Sequence, residues 1–396
     1  MTHPGADSSE VTKKSTEAKD LLSGVNASNR PTVAILGTRG YPSYYGGFET
    51  AVRHIAPYLV DAGWDVTVYG RPGATSDDDP DIDARVVRRT SWGLDTKSIS
   101  TLSFGLTSSL DVAQRRPDVA LVMNVANGFW LPFLRARGIP SLVNVDGIEW
   151  DRAKWGRVAK SVFHTGARAT AKHATRLVYD SHEIARRWDE EFHTDGAFIP
   201  YGGVRPSGVL PIEEGLQHRR YVLVVARFVP ENTIPEFIEA ARGIAEDFDV
   251  VIVGSTGYGG ELDEAVGSLA ATSDRVHWLG HIKDDNRLYS LWQHAGAYFH
   301  GHSVGGTNPA LVQAMACGSP VVARDTPYNR EVLGSLGKFS PPDATSIEHA
   351  LREVMNSSNL QEMLTANSLE RSLGDYSWES VCSNYELELR KLLRSP

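Results

Sequence analysis

From residue 31 onward the chain repeats one pattern: a short apolar run, a glycine or polar break, then a segment with helical spacing. The first run, "PTVAILGTRG", suits a buried strand entering a glycine-containing loop. Next, "ETAVRHIAPYLVDAG" places Val52, Ile55, Ala56, Leu59 and Val60 at helical period, with Gly63 as a stop. "WDVTVYG" alternates as a second strand. A strand, a helix and a strand joined by short connections predict parallel pairing. "VALVMN", "SLVNVDG", "RLVYDS" and "GAFIPYGG" continue the series.

"VRPSGVLPIEEGLQHR" follows neither period and holds Pro and Gly, which predicts a linker. A second strand–helix series then runs through "YVLVVAR", "DVVIVGS", "RVHWLGH", "AYFHGH" and "PVVAR". Two such series predict an α/β protein of two Rossmann-like domains, over residues 31–203 and 204–375. Such sheets bind ligands beyond the carboxyl ends of their strands, so facing domains place a cleft between them. "WESVCSNYELELRKLL", within 376–396, closes the chain as an amphipathic helix with Val381, Tyr385, Leu389 and Leu392 on one side. The polar, charge-mixed residues 1–30 read as a disordered tail.

Composition narrows the function classes. Hydrophobic content of 41% and charged content of 22% are those of an ordinary globular enzyme. Two cysteines, Cys317 and Cys382, make neither a disulfide framework nor a thiolate metal cage, and a reducing cytoplasm is the expected compartment. A net charge of -9 argues against nucleic acid as a partner. No apolar run reaches the roughly 20 residues that span a bilayer.

Two glycine-rich turns carry the candidate chemistry. In "GHSVGGTNPALVQAMACG" (residues 301–318), Asn308 is a helix N-cap and Pro309 occupies the first helical position. Backbone N–H groups at Gly306, Thr307 and the first turn favour an anion there; a tight strand-to-helix turn without ligand is the plainer alternative. "GTRGYPSYYGGFET" sets Gly46 and Gly47 before a helix containing Glu49. It lacks the GxGxxG fingerprint and the P-loop lysine, and read alone is as well a simple glycine turn. Two such turns facing one cleft suit a diphosphate.

Arg227 ends "YVLVVAR", where its forked donors suit a phosphate oxygen unless it pairs with Glu231 or Glu236. Asp146 ends "SLVNVDG", where a carboxylate either orients or deprotonates a hydroxyl, or caps the turn beside Gly147. His300 and His302 lie two apart with no carboxylate or thiolate set beside them, so no metal site is expected. Between residues 152 and 176, Arg152, Lys154, Arg157, Lys160, Arg168, Lys172 and Arg176 form a basic face opposed only by Asp151. This face either touches anionic lipid heads or a lipid-linked diphosphate, or is simply solvated. Tyr41, Tyr44, Tyr45, Phe129, Trp130, Trp150 and Trp155 either stack on an acceptor glycan or belong to the core.

The stretches "GTRGYPSYYGGFET", "NVDGIEWDRAKW", "FIPYGG", "VARFVPEN" and "HGHSVGGTNPALVQAMACGSPVVA" together resemble the family 4 retaining glycosyltransferases, and within them a bacterial rhamnosyltransferase-like subgroup. The resemblance runs from about Pro31 to the end. It implies the GT-B fold, with the first domain on the acceptor side, the second holding a nucleotide sugar, and the last helix crossing back to the first. By the same resemblance Gly46 and Gly47 give backbone amides to the donor diphosphate and Arg227 neutralises it as it leaves. The loop Gly305, Gly306, Thr307 and Asn308 holds the nucleotide sugar, which is a co-substrate, with no separate cofactor and no metal. Asp146 falls near where relatives carry a histidine that contacts the reacting sugar or acceptor.

Two positions depart from the family pattern. Asn232 stands where a lysine is usual, five residues after the arginine, leaving His302 or Arg39 to assist. Gly305 and Gln313 stand where the family carries two glutamates. Gln313 accepts a ribose hydrogen bond more weakly than a carboxylate, which fits a deoxyribose donor. The expected function is transfer of L-rhamnose from dTDP-rhamnose, with retention, to a saccharide or lipid-linked acceptor in surface-polysaccharide synthesis. The alternative is a nucleotide-sugar-binding protein with little turnover. A dehydrogenase is disfavoured by the missing dinucleotide fingerprint.

Overall fold

A computed structural model of the chain describes residues 30–394 except 45, 95–99, 146, 153 and 154. The tail expected over residues 1–30 lies, apart from Arg30, outside the described residues, as do Tyr45, Asp146 and Lys154.

The apolar runs form two wholly parallel sheets. The first contains β1 (Thr32–Leu36), β2 (Asp65–Gly70), β3 (Val87–Thr90), β4 (Val119–Met123), β5 (Ser141–Asn144), β6 (Arg176–Tyr179) and β7 (Gly196–Phe198). Their spatial order is β3-β2-β1-β4-β5-β6-β7. The second sheet contains β8 (Tyr221–Val225), β9 (Asp249–Val253), β10 (Val276–Gly280), β11 (Ala297–His300), β12 (Val321–Arg324) and β13 (Lys338–Ser340), in the order β10-β9-β8-β11-β12-β13. Two doubly wound sheets are the architecture expected from the apolar pattern. The strands at the outer edges that it did not reveal are β3 and β13. "VRRT" has three exposed residues of four, so no buried face leaves a signature.

Strand order reverses between β1 and β4 in one sheet and between β8 and β11 in the other. Ligand crevices open at such points, beyond the carboxyl ends of the strands. In the second sheet Phe299 on β11 pairs with Val224 on β8, so the two chains leave the sheet side by side. Arg227 and His302 emerge there as neighbours. In the first sheet β1 leads through Gly37 and Arg39 to the helix Gly47–Asp61, whose Val52, Ile55, Ala56, Leu59 and Val60 are all buried.

The last helix, Trp378–Leu393, follows the second sheet in sequence but docks on the first. Its Tyr385 hydroxyl accepts a bond from Asn144 Nδ2 at 2.6 Å, Arg390 donates to the Ala62 carbonyl at 3.0 Å, and Glu388 pairs with Arg176 at 3.2 Å. Val381, Tyr385, Leu389 and Leu392 are buried beneath it. The chain crosses between sheets beside Gly203, whose N–H donates to the Tyr376 carbonyl at 2.8 Å.

His54 stacks on Trp378, with ring centroids 4.2 Å apart. Burial, aided by the Arg53 charge, pushes the imidazole down to about 4. The folded value lies below the unfolded value near 6.5, so His54 makes no difference above pH 6.5. Stability falls as pH drops from 6.5, where the unfolded chain takes up the proton first, and the loss levels off near pH 4. The shift is worth about 3 kcal/mol at most. His54→Phe keeps the stack and removes the proton site. Its acid unfolding arm between pH 6.5 and 4 should be shallower than that of the parent chain, measured by urea melts across that range. An unchanged slope would count against a buried neutral imidazole.

Candidate active site

The site is assembled from strand exits and helix starts of both sheets. Asn308 caps the helix Pro309–Ala316, its side-chain oxygen accepting from the Ala310 N–H at 3.0 Å. The Asn308–Pro309 start expected from sequence is therefore present, and the first-turn N–H groups point back toward the Gly305–Thr307 loop. Across the cleft, Gly46 precedes the helix Gly47–Asp61 in extended conformation, and its carbonyl accepts the first helical bond from Thr50 at 3.0 Å. Glu49 is buried in that first turn and accepts from the Arg39 N–H at 3.0 Å.

The two helix starts abut. A methyl group on Gly47 would lie 3.5 Å from Pro309 Cγ and 3.1 Å from the Tyr201 hydroxyl. Contact also joins the loop to the end of β6. The Thr307 hydroxyl donates to the Asp180 carbonyl, and a methyl on Gly306 would fall 2.0 Å from Asp180 Oδ1. Gly306 is thus required by a carboxylate of the opposite sheet. A third contact is electrostatic. The helix His182–Phe192 begins in the first half of the chain, and its start is capped by Glu331 from the second. The Glu331 carboxylate accepts from Ser181 Oγ at 2.9 Å, from the His182 N–H at 2.8 Å and from the Glu183 N–H at 3.3 Å. A carboxylate at a helix start is favoured by free N–H donors and by the dipole.

Arg227 is exposed, and it pairs with neither Glu231 nor Glu236 among the described residues. Asn232 does not turn into the cleft: its side-chain amide donates to the Arg227 carbonyl at 2.8 Å and braces the turn that carries the guanidinium. His302 stacks on His300, with centroids 4.5 Å apart, and its carbonyl accepts from Asn329. Burial, then the charges of Arg227 and Arg152, push the His302 imidazole down to about 3. It is therefore a neutral ring at neutral pH.

Gln313 also differs from expectation. Its carbonyl accepts from the Val204 N–H at 2.9 Å, and its NH₂ donates to the Val204 carbonyl at 2.7 Å. Both ends of the amide are engaged by the linker leaving the first sheet, so its first partner is backbone. The basic face is smaller than the sequence suggested. Arg152 pairs with Glu149 at 2.6 Å, and Arg176 pairs with Glu388 at 3.2 Å and Asp195 at 3.4 Å. Arg157 and Lys172 remain on the helix Arg157–His173 as exposed cations with Arg168, and Lys160 is partly exposed. Of the aromatic candidates, Tyr41 is buried, Trp150 packs edge-on against Trp188 and Phe192, and Trp155 donates to Glu149 at 2.8 Å. Tyr44 is exposed at the mouth of the first turn.

Asp180, Glu331 and the inward placement of Arg152 were not read as site features from sequence. Each acts on a residue more than 100 positions away or on the opposite sheet, and no local period reports such a contact.

Residues 46–202 match the model of a glycosyl transferase 4-like domain, and residues 212–371 match glycosyl transferases group 1. A curated relative, phosphatidyl-myo-inositol mannosyltransferase of Mycobacterium leprae, is 29% identical over 212 residues, covering 51% of this chain and 55% of the relative. The chain spans about half the length of the curated relatives it matches first. Among solved structures, sucrose-phosphate synthase of Thermosynechococcus elongatus superposes with a TM-score of 0.75 at 20% identity, covering 92% of this chain and 99% of that one. HepE of Anabaena, solved in complex with UDP, superposes with a TM-score of 0.67 at 15% identity, covering 91% and 100%. At these identities the superpositions establish the fold.

Proposed function

The chain belongs to the group 1 glycosyltransferases of GT-B fold, and on that premise we propose that it moves a sugar from a nucleoside diphosphate to a saccharide or lipid-linked acceptor. The observation that carries this reading is the abutment of two helix starts, at Gly47 and Pro309, in a chain whose β8 exit carries the exposed guanidinium of Arg227. Converging N–H donors and one fixed positive charge suit a diphosphate leaving group, whose developing charge they stabilise. The solved neighbour that holds UDP supports a nucleotide ligand.

The donor favoured is dTDP-rhamnose, transferred with retention of configuration. At the position where the family's ribose acceptor stands, Gln313 is a neutral amide already engaged by Val204. That position offers the ribose no charge-assisted bond, so a donor lacking the 2′-hydroxyl forgoes least. The match to a mannosyltransferase makes a mannose nucleotide the natural competitor. No described helix is long and apolar enough to cross a membrane. Contact with an anionic lipid surface would be made by Arg157, Lys160, Arg168 and Lys172, next to Val158, which is 80% exposed.

A melting-temperature screen with dTDP-rhamnose, GDP-mannose and UDP-glucose, followed by product analysis, tests the reading. A ligand of the folded state raises the melting temperature in proportion to the logarithm of its concentration over Kd. The largest shift is expected with dTDP-rhamnose, and an axial-to-axial or equatorial-to-equatorial product with that donor alone. A larger shift with GDP-mannose replaces the donor assignment, and no shift with any of the three removes the transferase reading.

A further inference from the structure

Arg152 is supplied by the first half of the chain but reaches the second. It follows the one-turn helix Glu149–Asp151 and is 16% exposed at the side chain, held by Glu149 at 2.6 Å. Glu149 is fixed in turn by the Trp155 indole at 2.8 Å. One terminal nitrogen of Arg152 lies 3.2 Å from the place a methyl would take on Gly147 and 3.6 Å from the corresponding place on Gly305. Gly305 belongs to the loop that leads into the helix Pro309–Ala316, and Gly147 closes to within 3.4 Å of it on the same measure. The guanidinium therefore sits at the seam between the sheets, where neither glycine has a side chain to cover it. Its charge and that of Arg227 both bear on the His302 ring. Arg227 and His302 leave the second sheet side by side, and Arg152 reaches Gly305, three residues past His302, from the first half of the chain. The turn after β8 carries the neutral Asn232, which faces a backbone carbonyl.

We infer that Arg152 is a second cation for the donor's β-phosphate, supplied across the domain seam and working with Arg227. The inference rests on the transferase reading above. A phosphate with two non-bridging oxygens offers both forks an acceptor, and two charge-assisted bonds from opposite sides hold it more strongly than one. Glu149 keeps the guanidinium in place before the ligand arrives, so little side-chain freedom is lost on binding. Because the two cations come from different sheets, the β-phosphate is bound fully only when the sheets are together. The ligand then favours the closed arrangement by the difference in its affinity for the two.

The test is titration calorimetry of the full chain with dTDP and dTMP, and with UDP and UMP, on the parent, Arg152→Ala and Arg152→Lys. Arg152→Ala should weaken diphosphate binding about 10- to 100-fold, the loss expected for a charge-assisted bond. Monophosphate binding should change less than about threefold and so report that the fold is intact. Arg152→Lys should fall between parent and alanine for the diphosphates. Equal losses for mono- and diphosphates would assign Arg152 a structural role, and unchanged diphosphate binding would remove it from the site; either overturns the inference alone. If the parent chain binds none of the four nucleotides, the inference falls together with the transferase reading.

Discussion

Arg227→Ala will lower turnover about 10²- to 10³-fold, equivalent to about 3–4 kcal/mol, the cost of losing one fixed donor to a developing negative charge. The side chain stands at the exit of β8, exposed, with no carboxylate partner among the described residues. Its removal leaves nothing buried without a partner. The turn around it is held by its own carbonyl, which accepts from Asn232 Nδ2 at 2.8 Å and from the Val229 N–H at 2.9 Å, and both bonds survive truncation of the side chain. The melting temperature should therefore stay within about a degree or two of the parent, as for an exposed substitution that breaks no contact. Nucleotide release from saturating donor and acceptor, measured beside the melt, separates the two effects. Parent-like kcat/KM would exclude the arginine from leaving-group stabilisation. A collapse in melting temperature would instead reveal a packing role the geometry does not contain.

The parts of this site that were legible in the sequence are local ones. Asn308–Pro309 announces a helix start because capping is decided within three residues. The helix Gly47–Asp61 is written in its period, and β8 and β11 in unbroken apolar runs. Arg227 could be placed because it closes an apolar run; β8 itself ends two residues earlier, at Val225. What could not be read is everything settled by how the halves meet. Gln313 was legible only as an unusual residue on a helix; that its amide closes on Val204 depends on the path of the linker, 109 residues earlier. Arg176 counted as a member of a basic face because its acidic partner Glu388 is 212 residues away, whereas Glu149, three residues before Arg152, lay just outside the stretch counted. Asp180 looked like the end of a strand and nothing more.

These contacts across the halves share a physical character. Glu331 caps a foreign helix, Asp180 covers Gly306, Arg152 reaches Gly305, and Gly47 meets Pro309. All are small, polar or backbone-mediated, in contrast with the apolar packing that fixes the last helix on the first sheet. Polar contacts of about 1 kcal/mol each can open and reform, whereas the docked helix holds the halves as neighbours throughout. Such a division suits a site that must admit a donor and then exclude water from it.

Gly306 provides the sharpest test of that seam. Its backbone lies outside the left-handed region, so alanine suits its own conformation; the obstacle is Asp180, whose carboxylate oxygen would be 2.0 Å from the new methyl. Gly306→Ala must displace the Asp180 carboxylate by about an ångström, either by turning the side chain aside or by parting the loop from the end of β6. A displacement of that size at reacting groups costs about 10²-fold in rate. The same substitution in an Asp180→Ala background should cost less than about threefold, because the obstructing carboxylate is gone. This comparison holds whether or not Asp180 has a role of its own, since only the effect of adding Gly306→Ala to each background is read. kcat/KM for the four chains of this cycle, with melts to confirm folding, decides the matter. If Gly306→Ala costs 10²-fold in both backgrounds, the glycine serves close approach of the nucleotide, and the seam with Asp180 is not what demands it. If it costs little in either, the loop and β6 stand farther apart during turnover than in this structure, and closure at Gly306 is not part of the reaction.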